Sequence, residues 1–254
     1  MRIGAPAAGK KHLARRVLAL IRHGEYAQPA GVPSAHLPYG LTPAGVAQAR
    51  DAALALLDFA HSSALTLQPV IDCSKLRRAW QTADVMARTL EQRTGQGFTC
   101  RELDDLAERS LGALANLSVE AIEAIVRDDP RYAAPPPGWK RLSEYRLPYP
   151  GCESLAEAGA RVARRLRSCA AELWEEQTSA RAQASSLKLL VGHGGAFRHA
   201  ARELGILSSE QVVSLSMGYG VPVYFEVQRP EDGPDRFVHI AGHWRSRQAA
   251  GAID

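Results

Sequence analysis

Three short apolar runs decide what this chain can fold into: Val17–Ile21, Pro69–Cys73 and Leu187–Gly192. Each has strand length, and each is followed, directly or after a loop, by a helical stretch. Val17–Ile21 ends abruptly on Arg22-His23-Gly24-Glu25, and a Gly/Pro/Ala-rich loop spans 26–41. Thr42 then caps a helix, with Pro43 at its first position, that runs to about Phe59. Pro69–Cys73 leads into a helix from about Lys75 to Thr94 that Gly95 and Gly97 close. Leu187–Gly192 leads into a helix from about Gly195 to Leu204. The alternation predicts an α/β fold of three layers, α/β/α, with a mostly parallel sheet covered on both faces. Ligands of such sheets bind at the carboxyl ends of the strands, where Arg22 and His23 stand.

The remaining segments fit this frame. Phe98–Leu103 reads as a strand and Val119–Arg127 as a modest helix. Ser154 and Glu157 form a capping box for an amphipathic helix to about Glu176, with Leu155, Val162, Leu166, Ala170 and Leu173 on one face. Val221–Val227 and Arg236–Ala241 read as a terminal hairpin. The expected organisation is a disordered basic tail (1–16), one catalytic domain (17–245) with a proline-rich excursion at 129–151, and a short tail (246–254). A hydrophobic content of 46% over 254 residues gives one such domain a core that needs no staples.

Composition also excludes classes of partner. The net charge of +4 comes from dispersed basic residues, and Arg161, Arg164, Arg165 and Arg167 read as the solvated face of a helix. With no basic stripe interleaved with aromatics, nucleic acid is not an expected partner. No apolar run approaches the roughly 18 residues of a membrane span. Four cysteines without a C-x-x-C pair read as reduced thiols of a cytoplasmic protein. His36, His61, His199, His239 and His243 show no metal-ligand spacing, so neither a metal nor another cofactor is expected. A monomer and a homodimer are both open.

Polar signals stand at three strand ends: Arg22-His23-Gly24-Glu25, Ser74 with Arg78, and His193-Gly194-Gly195; a fourth segment, Leu103–Gly112, offers Glu108 in a loop. Two histidines, two arginines and a carboxylate that converge suit phosphoryl transfer. Guanidinium forks match phosphate oxygens. A neutral imidazole can attack phosphorus and carry the group. A glycine at 24 lets backbone approach an anion, and a carboxyl group can protonate the leaving oxygen.

At these residues the chain resembles the histidine phosphatase superfamily, in its phosphoglycerate-mutase-like, RHG-motif phosphatase branch. The R-H-G-E motif is Arg22–Glu25, and L-T-x-x-G-x-x-Q-A is Leu41, Thr42, Gly45, Gln48 and Ala49. S-x-L-x-R-A-x-Q-T-A is Ser74, Leu76, Arg78, Ala79, Gln81, Thr82 and Ala83. L-x-E-x-x-x-G is Leu106, Glu108 and Gly112; the P-G-G-E-S region is Pro150, Gly151, Cys152, Glu153 and Ser154. H-G-G-x-x-R is His193, Gly194, Gly195 and Arg198. The resemblance covers about residues 17–228.

The resemblance implies that His23 becomes phosphohistidine, that Arg22, Arg78 and His193 cradle the transferred group, and that Glu108 is the general acid and then the base. Arg22, Arg78 and a protonated His193 would carry the charge that Mg²⁺ carries elsewhere. Gly24, Glu25, Arg109 and Gly194 complete the candidate substrate-binding set. Glu25 is open between binding substrate and pairing with an arginine; Arg109 between meeting a substrate anion and being solvated. Glu102, Asp104 and Asp105 are the rival carboxylates to Glu108. Trp139-Lys140-Arg141 is open between a lid over the leaving group and an ordinary surface loop.

Departures from the family pattern favour hydrolysis over a mutase reaction. Pro29 stands where mutases and many phosphatases have Asn, Gly192 stands where Ser precedes the second histidine, and a paired-arginine W-R-R segment has no clear counterpart. The expected function is a metal-independent phosphatase for a small phosphorylated metabolite. The alternatives are a phosphoglycerate-type mutase and a catalytically silent phosphate-binding or interaction protein.

Overall fold

The computed structural model describes residues 14–175 and 184–247 of the chain. Strands are β1 (Arg16–Arg22), β2 (Thr66–Leu67), β3 (Val70–Ser74), β4 (Thr99–Leu103), β5 (Ser186–Gly192), β6 (Leu215–Ser216), β7 (Pro222–Gln228), β8 (Arg236–Ala241) and β9 (Arg245–Ser246). Helices are α1 (Pro43–Ser62), α2 (Arg77–Thr94), α3 (Val119–Asp128), α4 (Leu155–Glu175), α5 (Gly194–Glu203) and α6 (Ser209–Ser214).

β1 and β5 are buried along their whole length, which is why their sequences are near-continuous apolar runs rather than alternating ones. They lie side by side in a sheet of order β4-β3-β5-β1-β7-β8, with β2 beside β5. β4, β3, β5 and β1 are parallel; β7 is antiparallel to β1, and β8 pairs back on β7 as the expected hairpin. Two faces are covered. Ala49, Ala52, Ala53 and Leu56 of α1 pack with Ala83, Met86 and Leu90 of α2 against Val17, Ala19 and Ile21. Val162, Leu166 and Ala170 of α4 pack with Phe197 and Ala200 of α5 against Leu18, Leu20 and Phe225. Alternate residues of β1 therefore serve opposite layers, as the two-residue period of a strand dictates.

Local signals explain the helix ends. Thr42 accepts from the Gly45 amide at the start of α1. Gly95, at φ +70°, closes α2. The capping box is formed in both directions: Ser154 N–H donates to Glu157 Oε2 at 2.7 Å, and Glu157 N–H to Ser154 Oγ at 3.0 Å. α1 continues past the expected Phe59 to Ser62, since nothing between them breaks a helix.

Several boundaries and roles differ from the sequence reading. Arg16, expected in the tail, begins β1 and is 3% exposed; it donates to the Leu173 and Ala184 carbonyls. Ser246, also expected in a tail, lies in β9. Residues 1–13 and 248–254, and Glu176 at the expected end of α4, lie outside the described residues. Arg161 and Arg165 are not a solvated face. Arg165, with Arg101 and Lys188, surrounds the fully buried carboxylate of Asp72 at 2.8–3.0 Å. Burial pushes the Asp72 pKa up, but these cations overcome it and hold the carboxyl at about 2. A buried charge in a strand is tolerated only when paired in this way.

Residues 104–152 leave the sheet and build a third, smaller core of Ala35, Leu111, Leu114, Ile122, Val126, Trp139, Leu147 and Cys152. The proline-rich excursion belongs to it. Trp139 is 1% exposed, and its Nε1–H donates to Glu123 at 3.0 Å. The segment is a packed cap above the strand ends, not an ordinary surface loop. All four cysteines are free thiols, and no helix of the described residues is long and apolar enough to cross a membrane.

Candidate active site

Strand register brings the candidate residues together. Arg22 of β1 is paired with Gly192 of β5, and Cys73 of β3 with Val191, so His23, His193 and Ser74 emerge from three adjacent strand ends. The His23 amide donates to the Gly192 carbonyl at 2.9 Å, and the His23 and His193 ring centroids are 5.0 Å apart.

His23 is 1% exposed, and its two ring nitrogens are differentiated. Nδ1 is 2.8 Å from the Gly24 carbonyl, which only accepts, so Nδ1 carries the proton. Nε2 accepts from Arg78 Nε at 3.1 Å and thus presents its lone pair to the pocket. Burial, then Arg78 and Arg22, push the pKa well below 6.5, while the Gly24 carbonyl opposes them. A neutral imidazole with a defined free lone pair is the form a nucleophile needs.

Arg78 is completely buried and is held from both sides. Its Nη1 and Nη2 donate to the Leu37 and Ala35 carbonyls at 3.1 and 2.8 Å, and its guanidinium lies 4.6 Å from the Tyr26 ring centroid. Arg22 donates to the Met217 carbonyl at 3.0 Å and lies 4.1 Å from the Tyr219 ring centroid. Aromatic faces beside both cations lower the cost of keeping them out of water. The Tyr26 hydroxyl donates to Ser34 Oγ at 2.7 Å, which fixes its ring.

His193 Nε2 is 2.9 Å from Ser74 Oγ, while its Nδ1 is buried with no hydrogen-bond partner among the described residues. Burial first, then Arg78 and the neighbouring histidines, push its pKa well below 6.5. These neighbours favour the neutral ring, in contrast to the protonated His193 expected for the phosphate-bound site. An arriving phosphate dianion reverses that electrostatic balance and meets the orphan nitrogen.

Glu108 is 8% exposed and oriented by two amides. Oε1 accepts from Arg109 N at 2.8 Å, and Oε2 from Gly195 N at 3.1 Å in the first turn of α5. A Cβ at Gly195 would stand 2.9 Å from Glu108 Oε1, so a larger residue there would displace that carboxylate. Arg161 of α4 clamps the segment from below. It donates to the carbonyls of Asp105 and Ala107 at 3.0 and 3.1 Å, and it pairs with Glu153 at 2.8 Å. His36 lies 3.1 Å from the Glu108 carbonyl. Of the rival carboxylates, Asp104 is exposed and pairs with Lys75.

Two residues do something other than expected. Gly24 does not offer its amide to an anion: its N–H donates to Thr82 Oγ1 at 3.0 Å. Its missing side chain serves packing, since a Cβ would stand 2.4 Å from the Gly45 carbonyl oxygen at the start of α1. Glu25 is exposed and pairs with no arginine among the described residues; its Oε1 accepts from Thr42 Oγ1 at 2.9 Å. Gly194 opens α5 with its Cα against Arg22. Arg109 is buried and lies 5.6 Å from the Trp139 ring centroid.

A cleft opens beside Glu108, lined by Ser34, Arg109, Lys140, Arg198 and Arg247 among others. Tyr26, Tyr219, His36, Arg161 and Lys140 escaped the sequence reading as site residues. Only Lys140, in a segment already open as a lid, carried a signal. Among the described residues no group of three or more His, Cys, Asp or Glu side chains could hold a metal ion.

Comparison with known proteins identifies the family and the fold. The model of the histidine phosphatase superfamily (branch 1) matches residues 18–229. The 2,3-bisphosphoglycerate-dependent phosphoglycerate mutase of Parvibaculum lavamentivorans is 27% identical over 219 residues, covering 83% of this chain and 90% of the mutase. A structure described as mycobacterial hydrolase 2 superposes with a TM-score of 0.64 at 22% identity, covering 93% of this chain and 94% of the other. Mycobacterial glucosyl-3-phosphoglycerate phosphatase complexed with VO3 superposes with a TM-score of 0.57 at 25% identity, covering 91% and 97%.

Proposed function

The chain belongs to the histidine phosphatase superfamily, and from that premise we propose that it hydrolyses a small phosphate monoester through a phosphohistidine at His23. Phosphoric monoester hydrolysis is the class of reaction the family brings. The observation that carries the specific reading is the His23 ring itself, with Nδ1–H fixed on the Gly24 carbonyl, Nε2 unprotonated beside Arg78, and the ring kept neutral by burial.

The geometry supports the following sequence of steps. A phosphoryl group enters between Arg78 and Arg22, and His23 Nε2 displaces Arg78 Nε as its partner and attacks phosphorus. The P–O bond to the alcohol breaks, and Glu108 gives its proton to the leaving oxygen. Positive charge developing on His23 is met by the Gly24 carbonyl at Nδ1–H. Arg22, Arg78 and the Nδ1 side of His193 hold the equatorial oxygens, where the transition state concentrates negative charge. Glu108, now a carboxylate, takes a proton from water, which attacks phosphorus; phosphate leaves and His23 is restored. The charge stabilisation comes from side chains, so the reaction proceeds without metal. The free thiols support a cytoplasmic setting.

Rapid quenching with a ³²P-labelled aryl phosphate should yield an acid-labile, base-stable adduct on His23, unaffected by EDTA. An adduct on a cysteine, or activity lost to EDTA and restored by a divalent metal, contradicts the reading. A second reading, a mutase, is favoured by the Parvibaculum relative and by the cations beside Glu108. It requires the phosphoryl group to return to an alcohol, giving an isomeric ester in place of inorganic phosphate.

A further inference from the structure

Arg22 is the last residue of β1, and one turn grips it at three points. The turn runs from Met217 to Gly220, between β6 and β7. The Met217 carbonyl accepts from Arg22 Nη1 at 3.0 Å. The Tyr219 ring lies under the guanidinium, with its centroid 4.1 Å from Cζ. The Gly220 amide donates to the Arg22 carbonyl at 2.9 Å. The turn is itself fixed. Gly220 has φ +65°, which favours glycine, and a Cβ there would stand 2.7 Å from the Gln48 carbonyl oxygen of α1. Ile21 is paired with Pro222, so the β1–β7 ladder holds the turn at the end of β1.

Tyr219 also faces the nucleophile: its ring centroid is 5.6 Å from that of His23. The residue is half-buried, and its hydroxyl makes no hydrogen bond among the described residues, so the ring is the engaged part. Burial is the main cause of the lowered pKa values of His23, Arg78 and His193, and Arg22 adds to all three. The Arg22 charge therefore stands among the groups that would receive a phosphoryl group. Until an anion arrives, Arg22 and Arg78 repel each other there. A long, flexible side chain under that repulsion turns away unless something holds it. The negative face of an aromatic ring attracts a guanidinium and supplies such a hold. Tyr26 lies beside Arg78 in the same way at 4.6 Å, but Arg78 already donates to His23 Nε2 and to the Leu37 and Ala35 carbonyls.

We propose that Tyr219 is a positioning residue for phosphoryl transfer, its ring face holding the Arg22 guanidinium in place for the transferred group. The inference rests on the phosphatase reading above and deepens it. Arg22 is then organised on folding rather than during the reaction, which is the condition under which a cation stabilises a transition state best.

The test replaces Tyr219 by phenylalanine and by phenylalanines carrying one, two or three ring fluorines. These side chains keep the shape of the ring and progressively weaken the negative charge of its face, a change that a merely structural role would not register. Two quantities are read in each variant: the rate of phosphohistidine formation from labelled 4-nitrophenyl phosphate in a single turnover, and the affinity for inorganic phosphate. Tyr219→Phe should behave like the wild-type enzyme. Both quantities should then decline with each fluorine, to a total of roughly 2- to 30-fold. In an Arg22→Met background the same series should be flat. A flat series in the presence of Arg22 overturns the proposal. So does an equal decline without Arg22, which would assign the ring to another partner, and so does a full loss already in Tyr219→Phe, which would assign the role to the hydroxyl. If His23 takes no label in the wild-type enzyme, the phosphatase reading fails. Calorimetric titration with phosphate then decides Tyr219 separately: affinity that falls along the fluorine series supports the hold on Arg22, and affinity that is unchanged or absent overturns it.

Discussion

The floor of the pocket and its cap are built on different principles. The floor is made of strand ends. β1, β3 and β5 deliver Arg22, His23, Ser74 and His193 at positions fixed by ladder register. His23 and Arg78 have defined partners there, down to which His23 nitrogen carries the proton. The cap, residues 104–152, has no strand ladder; a small core around Trp139 and the clamp from Arg161 hold it in shape. Among the described residues Arg109 and Lys140 of the cap make no ion pair within 4 Å, although Glu108 and Glu123 lie in their neighbourhood. Under the phosphatase reading proposed above, the difference would separate two tasks: the floor would take the transferred phosphoryl group and the cap would face the leaving group. Glu108 stands on the border, tied to the cap through Arg109 N and to the floor through Gly195 N.

Substitutions sharpen this division, beginning with the largest expected effect. His23→Ala should remove the covalent route and lower turnover by on the order of 10⁶-fold, the scale seen when a nucleophile is deleted. Circular dichroism should show an intact fold, because His23 is not part of the hydrophobic clusters. Trp139→Ala should cost about 3–5 kcal/mol in denaturant unfolding. If the cap is a separate small core, that variant should also raise KM for leaving groups that reach the cleft more than it lowers aryl phosphate turnover; equal damage to both would dissolve the distinction.

The next effect is on pH. His199 joins cap to floor: Nε2 is 3.1 Å from Ser143 Oγ, and Nδ1 is 2.9 Å from the Gly195 carbonyl. Burial lowers its pKa from 6.5 to about 4. Below 6.5 the unfolded chain binds a proton that the folded chain refuses, so the His199 contribution should lower stability as pH drops from 6.5 to about 4 and then stay constant. That gap is worth about 3 kcal/mol. His23 and His193, pushed the same way, add to the slope. Urea midpoints across this range should show the decline, and His199→Gln should flatten it. The smallest effect is expected from Arg161→Met, which loosens the clamp under Glu108 without touching substrate. It should slow transfer from alkyl phosphates by roughly tenfold, since small misplacement of an acid already reduces its efficiency, while leaving aryl phosphates nearly as fast.

The floor was legible in the sequence because strands advertise themselves as short apolar runs and their polar ends carry the chemistry. Arg22, His23, Arg78 and His193 converge as the alternation predicted. The same signals misassigned Gly24, whose glycine answers to Gly45 of α1, a contact between segments that no local pattern reports. Arg161 and Arg165 read as solvated because helical periodicity places them on a polar face. That face is in fact turned to the Glu108 loop and to Asp72, acceptors supplied from distant positions in the chain. The cap was the least legible part. Its proline-rich segment has no period, and its packing depends on Trp139 meeting residues as far away as Ala35.

Glu108 decides whether this division between floor and cap is right, and its variant Glu108→Gln, followed in the burst phase, tests it most directly. As general acid, Glu108 contributes roughly 10²–10⁴-fold for a poor leaving group. Phosphohistidine formation from an alkyl phosphate should therefore fall by about that factor. Formation from 4-nitrophenyl phosphate, whose leaving group needs little proton assistance, should fall far less. Equal losses for both esters in the burst would contradict the account and place the acid elsewhere, with Glu102, Asp104 and Asp105 of the same segment next in line.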